Sequence, residues 1–149
     1  MKIRKGNQIE AIVFRKNKND YEFLLLKRIP EKGGFWQPVT GEIEENETTK
    51  EAVKREISEE IGTDKILQII EDVYHFILEG TGKEEFVFGA EIDSNVKLTF
   101  DKNIYQEHEE HKWCSYDEAM QLLKWPGNKE GLKRLNEVVK NENTKYKKI

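Results

Sequence analysis

Apolar residues cluster in the first forty positions in a way that predicts a β-hairpin and a third strand. Residues 9–15 (IEAIVFR) and 21–28 (YEFLLLKR) are rich in β-branched, aromatic and aliphatic side chains, which favour strands. The polar segment 16–20 between them is typical of a turn, so the two runs predict a hairpin. A loop with two glycines then leads to a third short strand at residues 35–40.

The apolar pattern changes to a helical one between residues 50 and 61. Its apolar residues recur at i, i+4 and i+8 and form a stripe along one face: Val53, Ile57 and Ile61. Thr48 and Glu51 have the spacing of a capping box at the start of this segment. Gly62 stands where a left-handed residue ends many helices. We therefore expect one helix here that buries the stripe.

The second half of the chain predicts three more strands and two more helices. The strands are expected at residues 66–78, 85–92 and 111–114. The helices are expected at residues 115–124, with Ser115 as N-cap, and at residues 129–139, with Pro126 and Gly127 between them. Residues 95–105 show no pattern that decides between strand and loop.

The order of these elements predicts a single domain over residues 1–149, because the chain shows no repeat, linker or low-complexity segment. Strands lie before and after one central helix, and more helix follows, which indicates a mixed sheet covered by helices on both faces. The tail at residues 141–149 is polar and rich in lysine, so we expect it to be flexible.

The composition limits the cellular compartment and the binding partners that we expect for this protein. Charged and hydrophobic residues each make up 36% of the chain, and no apolar run approaches the length of a membrane span. The start, MKIRKGNQIE, lacks the apolar core of a secretory signal. The single cysteine, Cys114, has no partner within the chain, so we expect a cytoplasmic protein. A net charge of -4 argues against broad nucleic-acid binding.

Three carboxylates on the predicted helix suggest metal chemistry. Glu56, Glu59 and Glu60 are spaced at i, i+3 and i+4, which places them on one side of a helix, where like charges repel. A divalent cation would reverse that penalty, and hard oxygen ligands suit Mg²⁺. Taken alone, E-x-x-E-E is more often a solvated acidic face.

The segment around these carboxylates resembles the Nudix signature, G-x5-E-x7-R-E-U-x-E-E-x-G-U, in which U is a bulky aliphatic residue. Residues 41–63 read GEIEENETTKEAVKREISEEIGT. The matching residues are Gly41, Glu47, Arg55, Glu56, Ile57, Glu59, Glu60 and Gly62. Thr63, in the last aliphatic position, is the one departure, and its β-branched side chain can still pack there. The resemblance implies an α/β (or α+β) fold, the Nudix-type α/β/α sandwich with a mixed β-sheet.

The resemblance also implies roles for these residues. Glu56 and Glu60 would be metal ligands, and Glu59 would be either a ligand or the group that orients or deprotonates the attacking water. Arg55 would orient the glutamates, and the Gly41 carbonyl would complete the ligand set. The implied cofactor is Mg²⁺, with Mn²⁺ as an alternative. Which glutamate is the general base stays open.

Two features of individual residues follow from the same stretch. Gly41 is expected either to have a positive φ or to let the backbone approach the metal. Glu47 is expected to fix the turn and to complement the N-terminus of the helix.

A second acidic region, residues 106–113 (QEHEEHKW), could supply another carboxylate. Glu107 is the first choice as an additional metal ligand and Glu110 is the second, against the alternative of a solvated acidic loop. His108 and His111 form a His-x-x-His pair without a nearby cysteine partner, which is a weak zinc signal.

Short motifs outside the signature resemble those of bacterial dATP pyrophosphohydrolases, which include dihydroneopterin triphosphate pyrophosphatases. They are FWQPVTG at residues 35–41, the spacing of Glu107-His108 to Lys112-Trp113, and Trp125 with Asn128. The resemblance implies substrate contacts at Arg28 and Thr40, and a guanidinium suits phosphate oxygens. Candidates for stacking on a base are Trp36, Tyr74, Phe76 and Phe86.

These observations predict a Mg²⁺-dependent hydrolase that converts a nucleoside triphosphate or a pterin triphosphate to a monophosphate and pyrophosphate. The alternatives are action on another diphosphate-linked compound (a dinucleoside polyphosphate, a nucleotide sugar or an RNA 5′ end) and a non-catalytic nucleotide-binding module. We expect a small-molecule partner, no membrane and no stable nucleic-acid partner, and leave a homodimer open.

Overall fold

A computed structural model describes residues 6–100 and 107–147, with side chains up to residue 142. Its strands are β1 (Gln8–Asn17), β2 (Asp20–Arg28), β3 (Trp36–Gln37), β4 (Val39–Glu42), β5 (Gln68–Ile77), β6 (Glu84–Glu91) and β7 (His108–Cys114). Its helices are α1 (Thr49–Ile61), α2 (Tyr116–Leu122) and α3 (Pro126–Lys147), and a short 3-10 turn covers Pro30–Lys32.

The described strands form one mixed sheet of seven strands in the order β3-β2-β1-β6-β5. The predicted hairpin is present, because β1 and β2 pair antiparallel. β1 also runs parallel to β6 and antiparallel to β4, which lies off the main path. β7 pairs antiparallel with β2, and this pairing brings the second acidic region to the sheet.

The two faces of the sheet have separate cores, because successive strand residues point to opposite sides. On one face the odd-numbered residues of β1 pack against the buried stripe of α1: Ile9, Ala11, Val13, Val53, Ile57 and Ile61. On the other face Ile12 and Phe14 pack with the apolar residues of α2 and α3, including Leu132, Leu135 and Val139. The predicted sandwich, with helices on both faces of a mixed sheet, is confirmed.

The largest differences from the prediction concern three elements. The expected strand at residues 35–40 is two strands, β3 and β4, on either side of Pro38, which has no N–H to donate to a ladder. β7 begins at His108, three positions earlier than expected. The last helix begins at Pro126, a residue suited to the first helical position, and runs to Lys147. Residues 101–105 of the undecided segment, the following Gln106, and residues 148 and 149 of the tail lie outside the described residues.

Candidate active site

The position of α1 is set by caps at both ends. Thr48 Oγ1 accepts a hydrogen bond from the Glu51 N–H at 3.1 Å, and Glu51 Oε1 accepts one from the Thr48 N–H at 3.0 Å. This reciprocal pair is the predicted capping box. Gly62, with φ 71°, is left-handed and ends the helix as expected. The register of the helix, and so the direction of each glutamate, follows from these ends and from the buried apolar stripe.

The three glutamates of α1 differ in exposure. Glu56 and Glu60, one helical turn apart, are both buried, with 8% and 7% of their surface exposed. Glu59 turns toward solvent, and its side chain is 54% exposed. The helix therefore presents a buried pair of carboxyls with a third carboxylate at the rim, because Glu56 and Glu60 adjoin the apolar stripe that packs on the sheet.

Arg55 connects Glu56 to the turn before the helix through hydrogen bonds. Its Nε and Nη2 donate to the two carboxylate oxygens of Glu47 at 2.7 and 3.0 Å. Nη1 donates to Glu56 Oε1 at 2.7 Å, and Nη2 also donates to the Glu42 carbonyl at 2.9 Å. The Glu47 carboxylate raises the pKa of Arg55 above its usual range, and Arg55 lowers the pKa of Glu47. Arg55 is thus placed to orient Glu56, and Glu47 holds Arg55.

Gly41 lies in β4 directly against Glu56. A Cβ at this position would overlap the carboxyl carbon and Oε1 of Glu56. The backbone of Gly41 is extended within the strand and is not among the glycines with positive φ. Of the two reasons expected for a glycine here, the positive φ does not hold, and the structure shows instead a close approach of the Glu56 carboxyl to the strand.

Glu60 is the carboxyl of the α1 pair whose ionisation is the less favourable. Its Oε2 is buried and has no hydrogen-bond partner within the part of the chain that the structure describes. Burial, followed by the charges of Glu56 and Glu107, raises the pKa of Glu60 to about 9, and the charge of Arg28 opposes this rise. Burial likewise raises the pKa of Glu56, which Arg55 counteracts. A buried pair of carboxyls with no cation between them is costly unless they stay protonated or bind one.

Glu107 is the carboxylate of the second acidic region whose charge acts on this pair. It precedes β7, its carbonyl accepts from the Ile29 N–H at 3.0 Å, and its charge acts on both Glu56 and Glu60. Lys32 Nζ lies 3.5 Å from its Oε1. Glu110 instead pairs with Lys27 at 3.6 Å and is exposed. Of the two candidates, the fold brings Glu107 to the α1 glutamates.

The donor set suits a hard divalent cation. Glu56, Glu60 and Glu107 offer carboxylate oxygens, which such a cation prefers. The buried Glu60 Oε2 is unpaired among the described residues. Gly41 has no side chain, so the Glu56 carboxyl can lie directly against the β4 backbone. Among residues 6–100 and 107–142, no three His, Cys, Asp or Glu side chains are already close enough to form a metal-binding group.

Arg28 and Thr40 have different positions relative to the glutamates. Arg28, at the end of β2, has a buried Nε without a hydrogen-bond partner among the described residues, and its charge acts on Glu60. Its N–H donates to the Phe35 carbonyl at 2.9 Å. Thr40 is paired in register with Glu10 and so lies on the face of the sheet opposite to the α1 glutamates. The fold brings Arg28 to the carboxylates and places Thr40 on the α3 side.

Sequence reasoning missed a buried polar cluster on that second face. Glu10, Glu85 and Asn128 are 0%, 4% and 6% exposed, and Asn128 Nδ2 donates to Glu10 Oε1. Burial raises the pKa of both carboxyls, and the charge of Glu85 raises that of Glu10 further. The signal in the sequence was a single glutamate within the apolar run IEAIVF. Trp36, Tyr74 and Phe76 pack on this same face, whereas Phe86 packs on the α1 face.

His108 was also missed as a neighbour of the glutamates. Its side chain is buried, and its Nδ1 lies 3.8 Å from Glu60 Oε2. Burial and Arg28 lower the pKa of His108 to about 4. His111, by contrast, is exposed and stacks on Phe100 with ring centroids 3.9 Å apart. The two histidines therefore do not share a site.

Comparison with known proteins gives one family match and similar folds. The NUDIX domain family matches residues 6–135. A protein from Listeria monocytogenes described as a NUDIX hydrolase has a TM-score of 0.78 and 30% sequence identity, over 92% of this chain and 96% of that one. Within the described residues, no helix is long and apolar enough to cross a membrane.

Two further solved structures share the fold at lower identity. The Escherichia coli dihydroneopterin triphosphate pyrophosphohydrolase has a TM-score of 0.72 and 24% identity, over 91% of this chain and 98% of that one. A Caenorhabditis elegans Ap4A hydrolase has a TM-score of 0.73 and 22% identity, over 91% and 99%. At these identities the likeness concerns the fold.

A curated relative matches only in part. An octanoyltransferase of Myxococcus xanthus is 32% identical over 111 residues, which are 74% of this chain and 31% of that protein. The chain thus spans about a third of the length of this relative, and the named activity belongs to the longer protein. The match over residues 6–135, together with the mixed sheet and the capped glutamate helix, shows that the chain belongs to the NUDIX domain family.

Proposed function

We propose that this protein is a Mg²⁺-dependent pyrophosphohydrolase that cleaves a nucleoside triphosphate or a pterin triphosphate to a monophosphate and pyrophosphate. The observation that carries the proposal is the buried pair Glu56 and Glu60, with Glu60 Oε2 unpaired and Glu107 acting on both. Such a set of like charges is unfavourable by itself and becomes favourable when a divalent cation binds.

Each residue of the site has a proposed role. Glu56, Glu60 and Glu107, with the Gly41 carbonyl, would hold the metal, with Mn²⁺ as a substitute for Mg²⁺. When bound, the metal supplies positive charge to the phosphate oxygens and makes a coordinated water more acidic. Glu59, at the solvent rim of the helix, would be a further ligand or would orient or deprotonate the attacking water.

The two arginines near the glutamates have different proposed roles. Arg55 holds Glu56 through its 2.7 Å hydrogen bond and so keeps one carboxylate oriented in the absence of substrate. Arg28 has a buried, unpaired Nε beside Glu60, and its guanidinium would receive a phosphate of the substrate. Thr40, on the other face of β4, would be a second substrate contact if the substrate extends around this strand.

The choice of a triphosphate rests on the short motifs FWQPVTG, Glu107-His108 to Lys112-Trp113, and Trp125 with Asn128. The similar fold of the Escherichia coli dihydroneopterin triphosphate pyrophosphohydrolase agrees with this choice. The equally similar fold of the Ap4A hydrolase makes a dinucleoside polyphosphate the compound to compare first.

The test is a Mg²⁺-dependent hydrolysis panel with pyrophosphate and orthophosphate assayed separately. It contains dATP, the other nucleoside triphosphates, dihydroneopterin triphosphate, diadenosine tetraphosphate and ADP-ribose. We expect pyrophosphate from a triphosphate, and a loss of about a hundredfold or more in Glu60→Gln, because a ligand is removed. Glu110→Gln is the matched control, since Glu110 is exposed and pairs with Lys27, and it should retain activity.

Each other outcome overturns a defined part of the proposal. Near-normal turnover by Glu60→Gln would exclude the metal-binding role of Glu60. Cleavage of diadenosine tetraphosphate or ADP-ribose without pyrophosphate release from any triphosphate would change the substrate class. Tight nucleotide binding without turnover in Mg²⁺ would favour a non-catalytic module.

A further inference from the structure

The buried ring of His108 lies between the buried Gln37 and Glu60. His108 is the first residue of β7 and stands opposite Arg28, where the pairing of β2 and β7 changes register. Its Nδ1 is 3.8 Å from Glu60 Oε2, and its Nε2 is 3.3 Å from Nε2 of Gln37. Gln37, the last residue of β3, is 6% exposed. The imidazole therefore separates Gln37 from the glutamate.

The contact with Gln37 determines which imidazole nitrogen carries the proton. In this orientation of the Gln37 amide the facing atom is its nitrogen, which is a donor only, and Nε2 of His108 then accepts the hydrogen bond from Gln37. A ring that accepts at Nε2 is neutral and carries its proton at Nδ1. A doubly protonated ring would place an N–H against the amide N–H of Gln37, which the 3.3 Å separation disfavours. The Nδ1–H consequently faces Glu60.

The two atoms that face each other are the ones left unpaired. Glu60 Oε2 and His108 Nδ1 are both buried, and neither has a hydrogen-bond partner within the described chain. At 3.8 Å they are too far apart for a hydrogen bond. A shift of less than an ångström in either side chain would form one, and a donor facing an acceptor is the arrangement that such a bond requires.

We propose that Gln37 and His108 position the Glu60 carboxylate: Gln37 holds Nε2 of His108 unprotonated, and the Nδ1–H then donates to Glu60 Oε2. This bond would restrict rotation of the carboxylate, whose oxygens have further lone pairs for the cation. His108 is thus a positioning residue that acts through Glu60. The proposal rests on the proposed function, because it assumes that Glu60 binds the metal.

The first test reads the tautomer in the unaltered protein. Long-range proton–nitrogen NMR spectra of the metal-free protein, labelled with ¹⁵N-histidine, distinguish a protonated Nδ1 from a protonated Nε2. We expect the His108 ring to be protonated at Nδ1. Gln37→Glu, which replaces the donor by an acceptor, should move the proton to Nε2. A wild-type ring protonated at Nε2 would overturn the proposal without any variant having to fold.

The second test measures Mn²⁺ affinity without substrate, from the electron paramagnetic resonance signal of free Mn²⁺. Asparagine places its amide nitrogen near the position of Nδ1, whereas glutamine places it near that of Nε2. We expect His108→Asn to bind within about threefold of the wild type and His108→Gln and His108→Leu to bind about 10- to 100-fold more weakly, as for other supporting groups of metal ligands. His111→Leu is the matched control, a histidine of the same strand that faces solvent.

The outcomes separate this inference from the function on which it rests. Glu60→Gln should lose Mn²⁺ binding, and if it binds normally, the metal assignment itself fails. If Glu60→Gln loses binding but His108→Leu keeps wild-type affinity, the site is correct and the positioning role is wrong. If His108→Asn is as weak as His108→Leu while circular dichroism shows both folded, the requirement for a donor at Nδ1 is wrong.

Discussion

At the scale of single residues, the site places charges where they reduce stability. Glu60 is 7% exposed, and its Oε2 lacks a hydrogen-bond partner among the described residues. The pKa of about 9 means that the folded protein holds a proton on this side chain that the unfolded chain releases above its ordinary pKa of 4.5. The proton contributes stability that is fully present below pH 4.5 and is lost as the pH rises to about 9.

Glu60→Gln should therefore stabilise the metal-free protein while it removes activity. We expect the free energy of unfolding to rise by about 1–3 kcal/mol at neutral pH, because a neutral amide can be buried without the proton that the glutamate has to keep bound. The difference from the wild type should grow as the pH increases from 4.5 toward 9, because the unfolded wild type releases its proton in this window while the folded protein keeps it. Urea unfolding in EDTA across this window measures it.

Glu59→Gln is the control for this experiment, since the Glu59 side chain is 54% exposed and its replacement should change stability little. A Glu60→Gln variant that is less stable than the wild type throughout the window would contradict the prediction. It would show that the Glu60 carboxyl already has a stabilising hydrogen-bond or charge partner in the folded protein.

At the scale of elements, α1 depends on its first turn to aim its glutamates. Thr48 and Glu51 exchange two hydrogen bonds, and Arg55 joins the helix to Glu47 and to the Glu42 carbonyl of β4. These contacts link the start of the helix to the strand that carries Gly41. The capping box is thus part of the support of the site, although neither of its residues faces the carboxyl pair.

Thr48→Ala should lower the free energy of unfolding by about 1 kcal/mol, since the side-chain acceptor for the Glu51 N–H is lost. Thermal or urea unfolding followed by circular dichroism measures the change. Lys50→Ala, an exposed position one residue into the helix, is the matched control and should be nearly neutral. Equal stability of the two variants would mean that water replaces the cap without cost.

At the scale of the whole molecule, the sheet must accept a helix on each face. Gly89 in β6 leaves room for a side chain of α3, because a Cβ at this position would overlap a methyl group of Leu135. Gly89 pairs with Ile12 in the parallel register of β1 and β6. The contact lies on the face opposite to α1. It therefore affects the packing of α3 on the sheet and does not involve the glutamates of α1.

A double-mutant cycle tests this packing. Gly89→Ala should cost about 1–3 kcal/mol through overpacking, and Leu135→Ala about 2–5 kcal/mol through loss of buried methyl groups. The double variant should lose less than the sum by about 0.5–3 kcal/mol, because the new methyl group enters the space that Leu135 vacates. Additive effects in urea unfolding would show that the backbone moves to absorb the methyl group, and Mg²⁺-dependent turnover should stay near wild type in folded single variants.

Local patterns in the sequence were sufficient for the elements and for one half of the site. The hairpin, the capped helix α1 and its Gly62 terminus follow from periodicity and from capping residues that act within a few positions. The spacing of Glu56, Glu59 and Glu60 is likewise a property of one helix. The match to the Nudix signature adds the family, which the NUDIX domain match over residues 6–135 confirms.

Only the tertiary structure decided how these parts meet. The pairing of β2 with β7 places Glu107 and His108 beside a helix about fifty residues earlier in the chain, and no local pattern encodes that distance. Burial divides three similar glutamates into an inward pair and an exposed third, and it leaves Thr40 on the far face with Glu10. The sequence by itself determined which residues could take part in chemistry, because the periods of helices and strands are local. The burial and the neighbouring charges of each side chain depend on long-range packing, so only the tertiary structure decided them.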